Sequence, residues 1–161
     1  MADSNIMRSP EDFKREAAER AYRYECEFHG CSQTVVRTFQ ELLGMEDDLL
    51  LKAAAPLCAG LGLGKSCGAL AAGVMVLGMV HGRPSMEEGL GGLMKGFMLA
   101  QALVRRFEAE YGTTVCYEIS NVDWADMQQA IQFFSTSAAE KACEVSAKTA
   151  EMVADILSEA G

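Results

Sequence analysis

The stretch Ala59–Gly82, AGLGLGKSCGALAAGVMVLGMVHG, decides how the chain reads. Gly60, Gly62 and Gly64 open it, Lys65, Ser66 and Cys67 follow, and an uncharged, proline-free run rich in Ala, Met and Leu continues to Val80. A turn with this many glycines can take positive φ and fold closely around something. The run behind it is too short for a bilayer, which needs about 20 apolar residues. With no polar face, it reads as a buried helix. Cys67 then stands at or near a helix N-terminus beside a lysine, and both features favour a thiolate. The competing reading is a cysteine that serves only as a small buried hydrophobe. The segment also loosely fits a phosphate loop, Ala59 leading to Gly64-Lys65-Ser66. The preceding DDLLLKAAAPLC reads as helix rather than strand, however, and no second strand ends in an aspartate for magnesium, so nucleotide binding is set aside.

Working outward, helix signals recur along the chain. Ser9-Pro10-Glu11-Asp12 is a capped start for a helix that runs to His29-Gly30, with Cys26 in its last turn and Cys31 just beyond. Ser32–Leu43 carries Val35, Val36, Phe39, Leu42 and Leu43 on one face and stops at Gly44. Asp47 and Asp48 start a third helix that ends near Pro56–Cys58. Ser85 with Glu88 forms a capping box for the longest helix, Met86–Tyr111, whose Gly89, Gly92 and Gly96 suit a close helix contact. A short segment, Thr113–Ile119, carries Cys116. Asp123 caps a helix to about Phe134, and Ser137 with Glu140 opens the last, Ala138–Glu159, with Cys143 on the flank of its apolar face. No stretch alternates like a strand. The expectation is all-α: residues 1–161 as one domain, a bundle of about seven helices around the buried Cys67 helix.

Composition narrows the function. The chain has 161 residues, half of them apolar, and a net charge of −9, which argues against nucleic acid or an anionic membrane surface as partner. MADSNIMRSPEDFKRE at the start has no apolar signal core, so a cytoplasmic location is expected. In a reducing compartment six cysteines point to metal or redox chemistry rather than a disulfide framework. Cys26, Cys31, Cys58, Cys67, Cys116 and Cys143 contain no C-x-x-C pair, so any site must be assembled by the fold. Cys31, Cys67 and Cys116 each sit at a turn or helix start, where side chains can converge, and four converging thiolates suit iron–sulfur or zinc. His29, His81 and Lys65 are weaker candidates, and Trp124 reads as a packing anchor.

These blocks resemble the redox-active family named for its cysteine pattern, C_GCAxxG_C_C. The resemblance runs from about Ala17 to Cys143. It rests on Gly30-Cys31-Ser32-Gln33, on Cys67-Gly68-Ala69 with the helix to Gly82, on Cys116 after Phe107 and Tyr111-Gly112, and on Cys143. Where the family has a glycine this chain has Ala72, with Gly73 one place later, and Cys26 and Cys58 are extra to the pattern. The family is similar to the iron–sulfur part of split-Soret cytochrome c. The resemblance therefore implies a redox role and a homodimer. It also implies an iron–sulfur cluster held by Cys31, Cys67, Cys116 and Cys143; if one is bound, Cys58→Ala is expected to cost only packing. Two other readings stand beside it. One is a thiol–disulfide protein in which a pair among Cys26, Cys31, Cys58 and Cys67 cycles between dithiol and disulfide, with Cys67 as the low-pKa attacking thiol. The other is a structural or zinc-holding interaction module.

Overall fold

The computed structural model describes residues 8–161, and every regular element in that range is helical. Residues 1–7, where the N-terminal stretch behind the cytoplasmic expectation begins, lie outside the described residues. Eight α-helices follow in order: α1 Pro10–Phe28, α2 Cys31–Leu43, α3 Asp48–Ala54, α4 Gly68–His81, α5 Gly89–Tyr111, α6 Cys116–Ser120, α7 Met127–Phe134 and α8 Glu140–Ala160. No described helix is long and apolar enough to cross a membrane.

The caps explain most boundaries. The Ser9 hydroxyl accepts from the Asp12 N–H with Pro10 in the first turn, Asp47 accepts from Leu50 N–H, and Gly44 and Gly112 close α2 and α5 in the left-handed region. Three expected starts move. Ser85 accepts from Glu87 N–H and sets a single 3-10 turn, Met86–Glu88, so α5 begins at Gly89, where φ is +63°. Asp126, not Asp123, caps α7, because its carboxylate meets two N–H groups, those of Gln128 and Gln129. Thr136 caps a 3-10 turn, Ser137–Ala139, that leads into α8.

One apolar cluster draws on α1 to α5 and α8, with Phe39, Leu77, Leu103, Phe107, Val153 and Ile156 among its buried members. The helix α1 pairs with α8 through a stripe at helical spacing, Ala17, Ala21 and Glu25, which the fold buries together. Ion pairs from Lys14 to Asp155 and Glu151 lie on the same pair of helices. A smaller cluster, Val122, Phe133 and Ala139, sits under the α6–α7 segment.

The helix α4 packs on α2, α5 and α8. It buries Gly68, Ala69, Leu70, Ala72, Gly73, Val76 and Leu77, but its far end is open, with Val80 40% exposed. Gly73 sets its depth. A Cβ there would stand 2.7 Å from Leu103 Cδ2 and 3.0 Å from Val153 Cγ2, so only a glycine lets α4 seat against α5 and α8 together. The glycines of α5 find a modest contact within the chain: a Cβ on Gly96 would meet the His81 carbonyl at 3.4 Å.

Gly73→Val is expected to lower the unfolding free energy by about 1–3 kcal/mol through overpacking. Urea denaturation measures it, and an unchanged midpoint would mean that α4 is not seated this way.

Candidate functional site

Three helix N-termini and one tight turn meet at a single cavity. Cys31 is the first residue of α2, Cys67 caps α4 and Cys116 opens α6; the free N–H groups of α4 meet the Cys67 sulfur and those of α2 meet Cys58. Cys67 and Cys116 are brought side by side by an isolated antiparallel bridge between Ser66 and Val115, the only β pairing among the described residues. Cys67 N–H donates to Thr114 O at 2.8 Å and Cys116 N–H to Lys65 O at 2.6 Å.

Cys58 arrives by a different route. It follows the 3-10 turn Ala55–Leu57 and precedes the glycine turn Gly60–Gly64. Ala59, Gly60, Leu61, Gly62 and Gly64 all have positive φ, which folds the chain back so that Cys58 and Cys67 end on one side of it. Ala59 and Leu61, with His29 before Cys31, are not glycine and carry backbone strain beside the sulfurs. Glycine is required where the backbones touch. A Cβ on Gly68 would lie 2.7 Å from Cys31 Sγ, and one on Gly60 2.7 Å from Cys116 Cβ.

The cavity has a volume of about 240 Å³ and is lined by Cys31, Cys58, Cys67 and Cys116. Ile119, Trp124, Phe133, Phe134 and Val145 form its apolar wall, with Glu25 and Lys141 as its charged groups. Trp124 stacks edge-on to Phe133 at 5.3 Å, and so serves both as packing anchor and as cavity wall. Lys141 is exposed and lies over the Tyr111 ring, 5.7 Å from its centre. Neither histidine lines the cavity: His29 packs on Phe134 at 4.8 Å.

Three of the four expected site cysteines are therefore together, and the fourth is not. Cys143 is bonded to Cys26, with Cα atoms 5.5 Å apart, a usual span for a disulfide. Helical geometry gives the reason. At about 100° per residue, Lys141, Ala142 and Val145 share the face of α8 that walls the cavity, and Cys143 lies roughly 150° round from the centre of that face. It meets α1 instead. Cys58, expected only to pack under the cluster reading, takes a place at the cavity.

Burial sets the electrostatics. It pushes the Cys67 thiol up to about 11, against the N–H groups of Leu70 and Ala69, which favour its charged form. The expected low-pKa Cys67 is thus corrected: the sulfur is desolvated, while Lys65 stays out in water. Burial also raises Cys116, although Ser120 and Trp124 favour its thiolate. Cys58 is the exception and is held well below the usual thiol range. The Cys31 S–H donates to it first, and the Ser32 hydroxyl and the N–H groups of Ser32 and Gln33 add to this. Cys31, as the donor in a buried pair, is raised correspondingly. Ser32 Oγ donates to Ala54 O at 2.7 Å and lies within hydrogen-bond distance of Cys58 Sγ at 2.8 Å.

Glu25 is a site residue that the sequence reading passed over. The signal was its place on the Ala17–Ala21 stripe. It is 1% exposed, accepts from Thr34 Oγ1 at 2.8 Å and from Gly30 N–H at 3.2 Å, and burial raises its pKa to about 7.

The chain matches the family described as "Putative redox-active protein (C_GCAxxG_C_C)" over residues 29–156. It belongs to that family. No curated protein and no solved structure matches it significantly. Among the described residues no three His, Cys, Asp or Glu side chains gather closely enough to hold a single metal ion. The donor set does fit a cluster. Four thiols line an apolar space, Gly68 brings no Cβ against Cys31 Sγ, and the thiolates of a cluster bind several irons rather than one point.

Glu25 binds its proton more tightly in the folded chain than in the unfolded one. Relative to Glu25→Gln, the metal-free wild type should therefore be fully stable below about pH 4.5 and lose about 3 kcal/mol as pH rises through 7. Urea unfolding of both proteins at pH 4.5 and pH 8 checks it, and a pH-independent difference would exclude a buried, protonated Glu25.

Proposed function

We propose that this redox-family protein is an electron carrier whose cavity cysteines, Cys31, Cys58, Cys67 and Cys116, hold an iron–sulfur cluster. The observation that carries the reading is that cysteines from four separate places in the chain line one apolar cavity. When bound, the cluster supplies one-electron chemistry at a potential tuned by hydrogen bonds and burial. The chain's own residues do the rest. The N-termini of α2 and α4 direct N–H groups at Cys58 and Cys67, and Trp124, Phe133 and Phe134 exclude water. Lys141 gives the rim a positive charge. Cys58 is ready as a thiolate, whereas Cys31, Cys67 and Cys116 must each give up a proton, so loading should be favoured by raised pH.

A second reading has its own support. The Cys31 S–H leans on the Cys58 thiolate, which is the arrangement of a dithiol that closes to a disulfide on losing two electrons and two protons.

One experiment separates the two. The reduced chain is reconstituted with ferrous iron and sulfide without oxygen, and iron and the visible spectrum are measured. Wild type and Cys143→Ala should load fully. Alanine at Cys31, Cys58, Cys67 or Cys116 should weaken or abolish loading. Full loading of Cys58→Ala with loss in Cys143→Ala would restore the ligand set that the family pattern implies. A colourless wild type that loses two thiols on mild oxidation would select the dithiol.

The homodimer is proposed on the first half of α5, where Leu90, Leu93, Met94, Phe97 and Met98 stand exposed together. Phe97→Glu is expected to shift the chain to the monomer in sedimentation. A wild type already monomeric at micromolar concentration would overturn this.

A further inference from the structure

The Cys26–Cys143 disulfide stands apart from the four-thiol cavity, and nothing in the proposed function uses it. Its two ends differ. Cys26 is exposed, while Cys143 is 2% exposed. Cys26 lies in the last turn of α1, the negative end, with no basic residue in that turn. Cys143 lies in the first turn of α8, buried, with its Sγ 3.6 Å from the Ala139 carbonyl oxygen. Glu140 shares that turn, and its carboxylate accepts from Tyr22 Oη at 3.1 Å. The family match, over residues 29–156, takes in Cys143 and begins after Cys26.

We propose that the Cys26–Cys143 disulfide is an electron-accepting exchange site for an external dithiol protein, with Cys26 as the sulfur attacked and Cys143 as the leaving thiolate. Solvent reaches only the Cys26 end, so an incoming thiolate can meet only that sulfur, and Cys143 is the sulfur that departs. A thiolate of the partner attacks Cys26 Sγ, a bond forms between those sulfurs, and the Cys26–Cys143 bond breaks with its electron pair on Cys143. The partner's second thiolate then attacks the partner sulfur of the mixed disulfide, and Cys26 leaves. Two electrons and two protons pass from the partner's dithiol to Cys26 and Cys143, and the partner becomes a disulfide. Glu25 and Ala142, each next to one of the bonded cysteines, line the cavity, so the bond ties two of its walls together. The proposal stands whether or not the cavity binds iron.

The test uses the full-length, metal-free chain without denaturant or oxygen. Excess reduced glutathione is added, the mixture is quenched with N-ethylmaleimide, and cysteine-containing peptides are mapped by mass. The expected result is glutathione on Cys26 and maleimide on Cys143. Dithiothreitol should open the same bond completely with the helical circular dichroism unchanged. In the single variants, Cys143 of Cys26→Ser should label about tenfold or more slowly than Cys26 of Cys143→Ser, as its burial requires. A bond that opens only in denaturant makes it a structural staple and overturns the proposal. So does glutathione on Cys143, or air-purified protein in which the two cysteines are not linked. Because the mapping is done on wild type, a variant that fails to fold does not blunt the test.

Discussion

Four thiols share one apolar cavity, and that cavity cannot carry four negative charges. Burial raises Cys67 and Cys116, donation to Cys58 together with burial raises Cys31, and only Cys58, where several donors gather, is held toward the thiolate. Glu25 obeys the same constraint: its carboxyl is drawn toward the neutral form beside the sulfurs. Desolvation and mutual repulsion act together here, so a proton taken from one group raises the cost of taking the next. A bound cation centre would reverse that balance by supplying the missing positive charge.

The backbone is shaped to sustain this arrangement. Three helices present N-termini to the cavity, and the fourth sulfur is delivered by a turn in which successive residues take left-handed conformations. His29, Ala59 and Leu61 hold such conformations without being glycine, at a cost of about 1–3 kcal/mol each. The surrounding packing must over-determine them. Gly68 and Gly60 show how tight it is, since a methyl group at either would displace a cysteine.

The α1–α8 pair forms the other side of the molecule. Small residues on α1 let the helices approach, Lys14 links them at one end and the Cys26–Cys143 bond at the other. The bond closes a separation of 117 residues, for which the chain-entropy account gives about 4–5 kcal/mol of stabilisation. An exposed sulfur and a buried one in the same bond also make it directional, which a staple does not require.

Local chemistry was enough to mark most helices, because a capping Ser9 or Asp47, a Gly44 or a Gly112 acts within one turn of itself. The same local logic put Cys31, Cys67 and Cys116 at helix starts, and their order along the chain carried the family. Boundaries at α5, α7 and α8 moved where two candidate caps competed within a few residues. The choice between Cys58 and Cys143 was beyond sequence. It depends on which way α8 is rotated against α1 and on how sharply the glycine turn folds back, and both are fixed by contacts between residues far apart in the chain. The charge states were hidden for the same reason. A lysine beside Cys67 in sequence suggests a thiolate, but the fold turns Lys65 to water and the sulfur inward, and desolvation then outweighs a neighbour that never faces it.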